Sequence, residues 1–127
     1  MHRTFYIFLI FAVSAFAQST YPQDLELSWD NPTSFEDGTL LLASDLASIH
    51  VSCFRNADTT PVFAATVPAL LPGALQSEVF VGVIPQPGNY ACVAYAITDQ
   101  DVWSLASNET IKRFTGKPNP PKNFKFK

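Results

Sequence analysis

The sequence predicts an all-β fold, a sandwich or barrel of short antiparallel strands. Apolar and polar residues alternate with period two over residues 25–29 and 49–53, which is typical of strands with one buried face. Segments rich in Pro, Gly, Asn and Asp separate these runs from others, as turns separate strands. The competing helical stretch, residues 40–46, is short and is interrupted by Asp45.

Further runs of apolar and β-branched residues extend this pattern along the chain. We expect strands over residues 61–67, 78–84 and 90–98 and, less regularly, over residues 103–114. Turn signals lie between them, including Pro85-Gln-Pro-Gly88 and Thr98-Asp-Gln-Asp101. The chain has 127 residues, which is the size of one domain.

Residues 1–17 have the pattern of a secretory signal peptide. Arg3 supplies the positive start, residues 5–13 are apolar without interruption, and Ala15 and Ala17 supply the small residues of a cleavage site. The apolar run is shorter than the roughly 20 residues of a membrane-spanning helix. We predict cleavage after Ala17, no membrane span in the mature chain, and a location that is secreted, periplasmic, or on a cell surface or virion exterior.

The charges divide the chain into two parts. All eleven acidic residues lie from Asp24 to Glu109, where Arg55 is the sole basic residue, whereas six basic residues and no acidic one follow from Lys112 onward. The net charge of −3 argues against a nucleic-acid binder that works by bulk positive charge. The asymmetry instead indicates a binding tail at residues 115–127.

Five segments form a set of motifs in a particular order and spacing: Leu25-Glu-Leu-Ser-Trp-Asp-Asn-Pro-Thr33, Glu36-Asp-Gly38, Asp45-Leu-Ala-Ser-Ile49, Pro87-Gly-Asn-Tyr-Ala-Cys-Val-Ala-Tyr-Ala96 and Ser107-Asn-Glu109. Together they resemble a fibronectin type III domain, most closely its bacterial and bacteriophage forms. The resemblance covers residues 24–114 and implies an immunoglobulin-like sandwich of about seven antiparallel strands. The short segment 18–23 before it shows no clear first strand, and Ser48-Ile49 replaces the usual Gly-Tyr.

The resemblance also assigns structural roles to particular residues. It implies that Tyr90 forms a tyrosine corner and that the core contains Leu25, Leu27, Trp29, Ile49, Val51 and Tyr90. Cys53 and Cys92 would lie on neighbouring strands and point inward. In an exported protein such a pair favours a disulfide, while the alternative is two buried free thiols.

Catalytic patterns are missing from the sequence, which predicts no enzyme, cofactor or metal site. His50 is expected to face solvent, and Asp99-Gln-Asp101 lacks the further oxygen ligands and Gly of a calcium loop. We therefore expect a binding or structural module, with contacts through surface loops to a protein or polysaccharide surface. The candidate loop contacts are Phe35, Asp99, Asp101 and Trp103.

The tail offers a second set of candidate contacts, Lys117, Lys122, Phe124, Lys125, Phe126 and Lys127. It could be a linker, an anchor on anionic surfaces, or a strand that adds to the open edge of another copy. Two alternative functions follow. One is a component of a bacteriophage virion or extracellular assembly held by the tail, and the other is a carbohydrate-associated accessory domain.

Overall fold

The structure, a computed structural model, describes residues 20–127. The predicted signal peptide, residues 1–17, lies outside the described residues, as do the first two residues of the segment 18–23. Within the described part no residue is helical. Six strands follow in chain order: β1 (Gln23–Asp30), β2 (Leu46–Arg55), β3 (Phe63–Pro68), β4 (Leu75–Ile84), β5 (Gly88–Thr98) and β6 (Thr110–Phe114).

The strands form two antiparallel sheets around a shared core. β1 pairs with β4, and the other four strands pair in the order β3–β2–β5–β6. Buried residues of both sheets, such as Leu25 on β1 and Ile49 on β2, belong to one cluster. The two sheets and their shared core confirm the prediction of an all-β sandwich. Residues 20–127 contain six strands, whereas we expected about seven.

Inward-facing positions alternate along the strands, as the period-two pattern requires. Four of the residues expected in the core are buried, namely Leu25, Ile49, Val51 and Tyr90. Leu27 and Trp29 are half-buried and pack against the buried cluster. The inward face of β1 is therefore only partly covered.

Tyr90 is buried near the start of β5. Its ring is 1% exposed and meets the edge of the Phe114 ring, with 5.4 Å between ring centroids. Its hydroxyl donates a hydrogen bond of 2.6 Å to the carbonyl oxygen of Gln86. A buried hydroxyl is thus satisfied by the turn that precedes its own strand.

The last predicted strand is shorter than the sequence suggests. Regular pairing begins at Thr110, although we expected a strand from residue 103. The segment before it follows β5 irregularly, because the hydroxyls of Ser104 and Ser107 accept hydrogen bonds from the backbone N–H groups of Ala96 and Ala94. Side-chain oxygens there replace the backbone carbonyls of a regular ladder.

A buried polar network connects the end of β1 to β4. Gln76 on β4 is 1% exposed, and its carbonyl oxygen accepts hydrogen bonds from the Asn31 amide and the Leu70 backbone N–H. Its amide donates to the carbonyl oxygen of Pro68, and Asn31 in turn accepts from the indole N–H of Trp29. Within residues 20–127 every buried side-chain nitrogen and oxygen has a hydrogen-bond partner. The network holds the base of the loop that follows β1.

The two cysteines form a disulfide, which confirms the favoured prediction. Cys53 on β2 lies directly opposite Cys92 on β5, and their Cα atoms are 4.1 Å apart. The bond therefore joins the two central strands of the four-stranded sheet.

Replacing both cysteines with alanine should lower the free energy of unfolding by ~3–4 kcal/mol, because the bond closes a loop across a sequence separation of 39 residues. Urea denaturation of the wild type and of the Cys53→Ala/Cys92→Ala variant measures this difference. Intact mass after alkylation of unreduced protein provides the control. Two alkylated thiols in that sample would contradict the disulfide.

Replacing Gln76 with leucine should cost about 3 kcal/mol of stability, since buried partners of its amide lose hydrogen bonds at ~1–3 kcal/mol each. The neighbouring Ser77→Ala change is the matched control, because Ser77 is exposed on the same strand. Thermal and urea denaturation compare the two variants. A cost for Gln76→Leu no larger than that for Ser77→Ala would show that the network does not stabilise the fold.

Candidate functional site

Three aromatic rings lie together on the outward face of the four-stranded sheet. His50 on β2 and Tyr95 on β5 are register partners, and Trp103 reaches them because its backbone pairs with Ile97 in an isolated bridge. The Trp103 ring centroid lies 5.0 Å from that of His50 and 5.7 Å from that of Tyr95. We call these three residues the aromatic cluster.

His50 lies on the outward face, as its position between inward Ile49 and Val51 predicts. It is half-buried rather than freely exposed. Its Nδ1 shares a hydrogen bond of 2.8 Å with the Thr66 hydroxyl, and its Nε2 shares one of 3.2 Å with the Ser52 hydroxyl. Both ring nitrogens are therefore engaged by neutral hydroxyls. This arrangement orients the imidazole ring and gives it no carboxylate partner of the kind that catalytic triads use.

An apolar recess opens beside the aromatic cluster, between the loop after β1 and the segment after β5. Its volume is about 390 Å³. We call this concavity the loop recess. Its apolar lining consists of Pro32, Phe35, Leu41, Leu46, Ala96, Val102 and Trp103. Two of the loop residues singled out from the sequence, Phe35 and Trp103, thus line one concavity. Trp103 belongs both to the recess and to the aromatic cluster.

The loop that carries Phe35 is held by a short antiparallel turn. Ser34 bridges Leu40, and the backbone N–H of Phe35 donates to the carbonyl oxygen of Thr39. Gly38 has a φ of 89°, a conformation that favours glycine. The turn fixes the backbone from which Phe35 projects.

Acidic side chains lie at the rim of the loop recess. Glu36 and Asp37 line it together with Phe35. Hydrogen bonds from the hydroxyl and the backbone N–H of Thr39 lower the pKa of the Asp37 carboxyl, because both donors stabilise its charged form. The rim is therefore negative at neutral pH.

The opposite wall depends on Thr98 at the end of β5. Its hydroxyl accepts hydrogen bonds from the backbone N–H groups of Gln100 and Val102, which closes the turn before Trp103. Asp101 has a φ of 61°, and its carboxylate accepts a long hydrogen bond of 3.4 Å from the Trp103 indole. Asp101 thus contacts a recess residue.

The remaining residues singled out from the sequence lie elsewhere. Asp99 is exposed, and its backbone N–H donates to Asp45. Lys117 lines a separate open concavity beside Pro87, while Phe124 is 92% exposed. The structure therefore does not bring the tail residues to the loop recess.

Sequence reasoning missed Tyr95 and gave His50 no role. Both alternate with inward residues of predicted strands, so the sequence alone could have placed them on the outward face. Their pairing across β2 and β5 depends on the register, which alternation within each strand does not specify.

The described residues hold no group of three or more His, Cys, Asp or Glu side chains suited to a metal ion. Across residues 20–127 no helix is long and apolar enough to cross a membrane. Comparison with protein-family models, with curated proteins and with solved structures gives no match for this chain.

Replacing Thr39 with alanine should raise the pKa of Asp37 toward its ordinary value, because the variant loses the hydroxyl that donates to the carboxylate at 2.7 Å. A carboxyl-carbon NMR titration measures the shift. The exposed Thr60→Ala variant is the control and should leave the pKa of Asp37 unchanged. An unchanged or lower value in Thr39→Ala would contradict this assignment.

Proposed function

We propose that this chain is an exported, non-enzymatic binding module built on a fibronectin type III-like sandwich. Its loop recess holds an apolar side chain that a partner protein presents between basic residues. The observation that carries this proposal is the enclosure of one apolar recess by Phe35 and Trp103 beneath an acidic rim.

The strand order supports the relationship to fibronectin type III domains. Immunoglobulin-like sandwiches place their C, F and G strands side by side and their B and E strands in the opposite sheet. The order β2–β5–β6 and the pair β1–β4 correspond to these two sets. The hydrogen bond from Tyr90 to Gln86 corresponds to the tyrosine corner. Within residues 20–127 no strand corresponds to the first strand of that family.

Export is supported by two independent features. The signal-peptide pattern of residues 1–17 directs a chain out of the cytoplasm. The Cys53–Cys92 disulfide is of the kind that persists in oxidising compartments.

The lining of the recess favours a protein partner over a polysaccharide. A sugar ring needs several hydrogen-bond partners for its hydroxyls as well as an aromatic face. The Thr98 and Ser104 hydroxyls in the recess lining are already engaged by backbone groups, and Leu41 and Leu46 offer no such partners. Ligand sites of this kind bury apolar groups and use a few polar groups at the rim for orientation. Glu36 and Asp37 provide such groups for basic neighbours.

An NMR titration of the ¹⁵N-labelled protein tests this proposal with three soluble probes. They are the blocked tripeptides Lys-Phe-Lys and Glu-Phe-Glu and a chitin hexasaccharide. We expect Lys-Phe-Lys to shift the amide signals around Phe35 and Trp103 and Glu-Phe-Glu to bind much more weakly. Stronger binding of the hexasaccharide at the aromatic cluster would replace the proposal with a carbohydrate-binding role.

The variants Phe35→Ala and Trp103→Ala should each weaken Lys-Phe-Lys binding by at least about tenfold, since aromatic anchors dominate small interfaces. Val79→Ala is the matched control, because Val79 is an exposed apolar residue on β4 in the other sheet. Equal affinities for all three variants would exclude the recess as the binding site. Circular dichroism verifies that each variant is folded.

A further inference from the structure

The edge of β1 that faces away from β4 has no partner strand within residues 20–127. Such an edge presents free backbone N–H and C=O groups that can pair with another strand. β1 therefore has the backbone chemistry of an acceptor for strand addition.

A groove runs beside this free edge and exposes part of the core. One concavity of about 350 Å³ lies between β1 and the chain just before and at the start of β6, and its lining includes Leu27, Trp29, Ala94, Ser107 and Thr110. A second of about 220 Å³ continues past Trp29 to Ile49 and Leu105. No β4 residue lines either concavity, so both lie on the unpaired side of β1. An apolar side chain placed there would complete the core.

The faces of β1 specify the sequence pattern that fits. Leu25, Leu27 and Trp29 point toward the core, while Glu26 and Asp30 are exposed on the opposite face. Since side chains of paired strands lie on matching faces, the complementary strand has apolar residues at alternate positions and basic residues between them.

The tail of this chain has that pattern. Phe124 and Phe126 alternate with Lys125 and Lys127, so an extended backbone places the two phenyl rings on one face and the two ammonium groups on the other. Both phenyl rings are almost wholly exposed in the structure, and no strand includes the tail. Asn123 has a φ of 58°, and pairing requires it to become extended.

We propose that a second copy of this chain supplies the strand, so that residues 118–127 of one copy add to the free edge of β1 in another. The tail leaves its own domain beside the start of β1, where the Tyr21 hydroxyl donates to the carbonyl oxygen of Thr115 at 2.7 Å. In its own domain it would therefore run parallel to β1. A tail from another copy can pair antiparallel, which is the more stable arrangement per residue.

The segment is long enough for this contact. Pro118, Pro120 and Pro121 have no N–H to donate, so the pairing part is residues 122–127. At about 3.3 Å per residue it spans roughly 20 Å, which covers most of the eight-residue β1. Donation from each copy to the next is a heterologous contact, and such contacts build open filaments or closed rings.

Light scattering coupled to size exclusion tests the proposal on the full chain across a range of concentrations. We expect mass to increase with concentration and the Phe124→Ser/Phe126→Ser variant to remain monomeric. Both changes lie outside the six strands, so they leave the sandwich intact. A wild type that stays monomeric at every concentration overturns the proposal, and so does an assembly that the serine variant retains.

A charge exchange locates the contact on β1. Glu26→Lys/Asp30→Lys and Lys125→Glu/Lys127→Glu should each weaken association by about tenfold, because like charges then face each other, and their combination should restore it. Asp58→Lys/Asp99→Lys makes the same charge change at two exposed loop positions outside both the loop recess and the groove, and is the matched control. The proposal is overturned if the combined variant does not assemble. It is also overturned if the control weakens association as much as the β1 variant does.

Hydrogen exchange distinguishes strand pairing from attraction between charges alone. In the assembled wild type the β1 amides should exchange more slowly than in the Phe124→Ser/Phe126→Ser variant, and the assembly should persist at high salt. Unchanged exchange in β1, or complete dissociation by salt, would overturn strand addition. Asn123→Val should tighten association by about fivefold, since valine favours the extended backbone.

Discussion

Nine residues of β2 lie opposite nine residues of β5, and the Cys53–Cys92 bond joins the two strands within this ladder. This register decides which side chains meet on each face of the sheet. Ile49 and Val51 are directed into the core, and the same pairing brings His50 beside Tyr95 on the outside. A shift of one residue would exchange the two faces, so the core and the aromatic cluster depend on one constraint.

The two sheets are unequal, and this inequality shapes the rest of the molecule. Four strands face two, which leaves Leu27 and Trp29 half-buried along the free edge of β1. A sandwich of this size cannot cover every apolar side chain with its own strands. The outer face of β1 is acidic, and the tail alternates basic with aromatic residues. The proposed strand addition would therefore pair opposite charges on the outer face and place the aromatic rings on the core side.

Local hydrogen bonds hold both walls of the loop recess. Thr98 closes one wall, the turn around Gly38 closes the other, and the Asn31–Gln76 network anchors the start of that loop to β4. Loops held in this way lose little further conformational freedom on binding, which reduces the entropic cost of ordering them. The recess and the groove beside β1 share Pro32, Ala96 and Ser104 in their linings, so the two proposed contacts are adjacent.

The sequence by itself determined the all-β class and the approximate positions of the strands, because period-two alternation and turn residues are local signals. It also indicated the cystine and singled out Phe35 and Trp103, since exposed aromatic residues on loops are visible without a structure. Only the tertiary structure decided that Phe35 and Trp103 line one recess, that His50 and Tyr95 meet, and that Gln76 is buried in a polar network. These relations join residues far apart in the chain, and strand pairing and register bring them together.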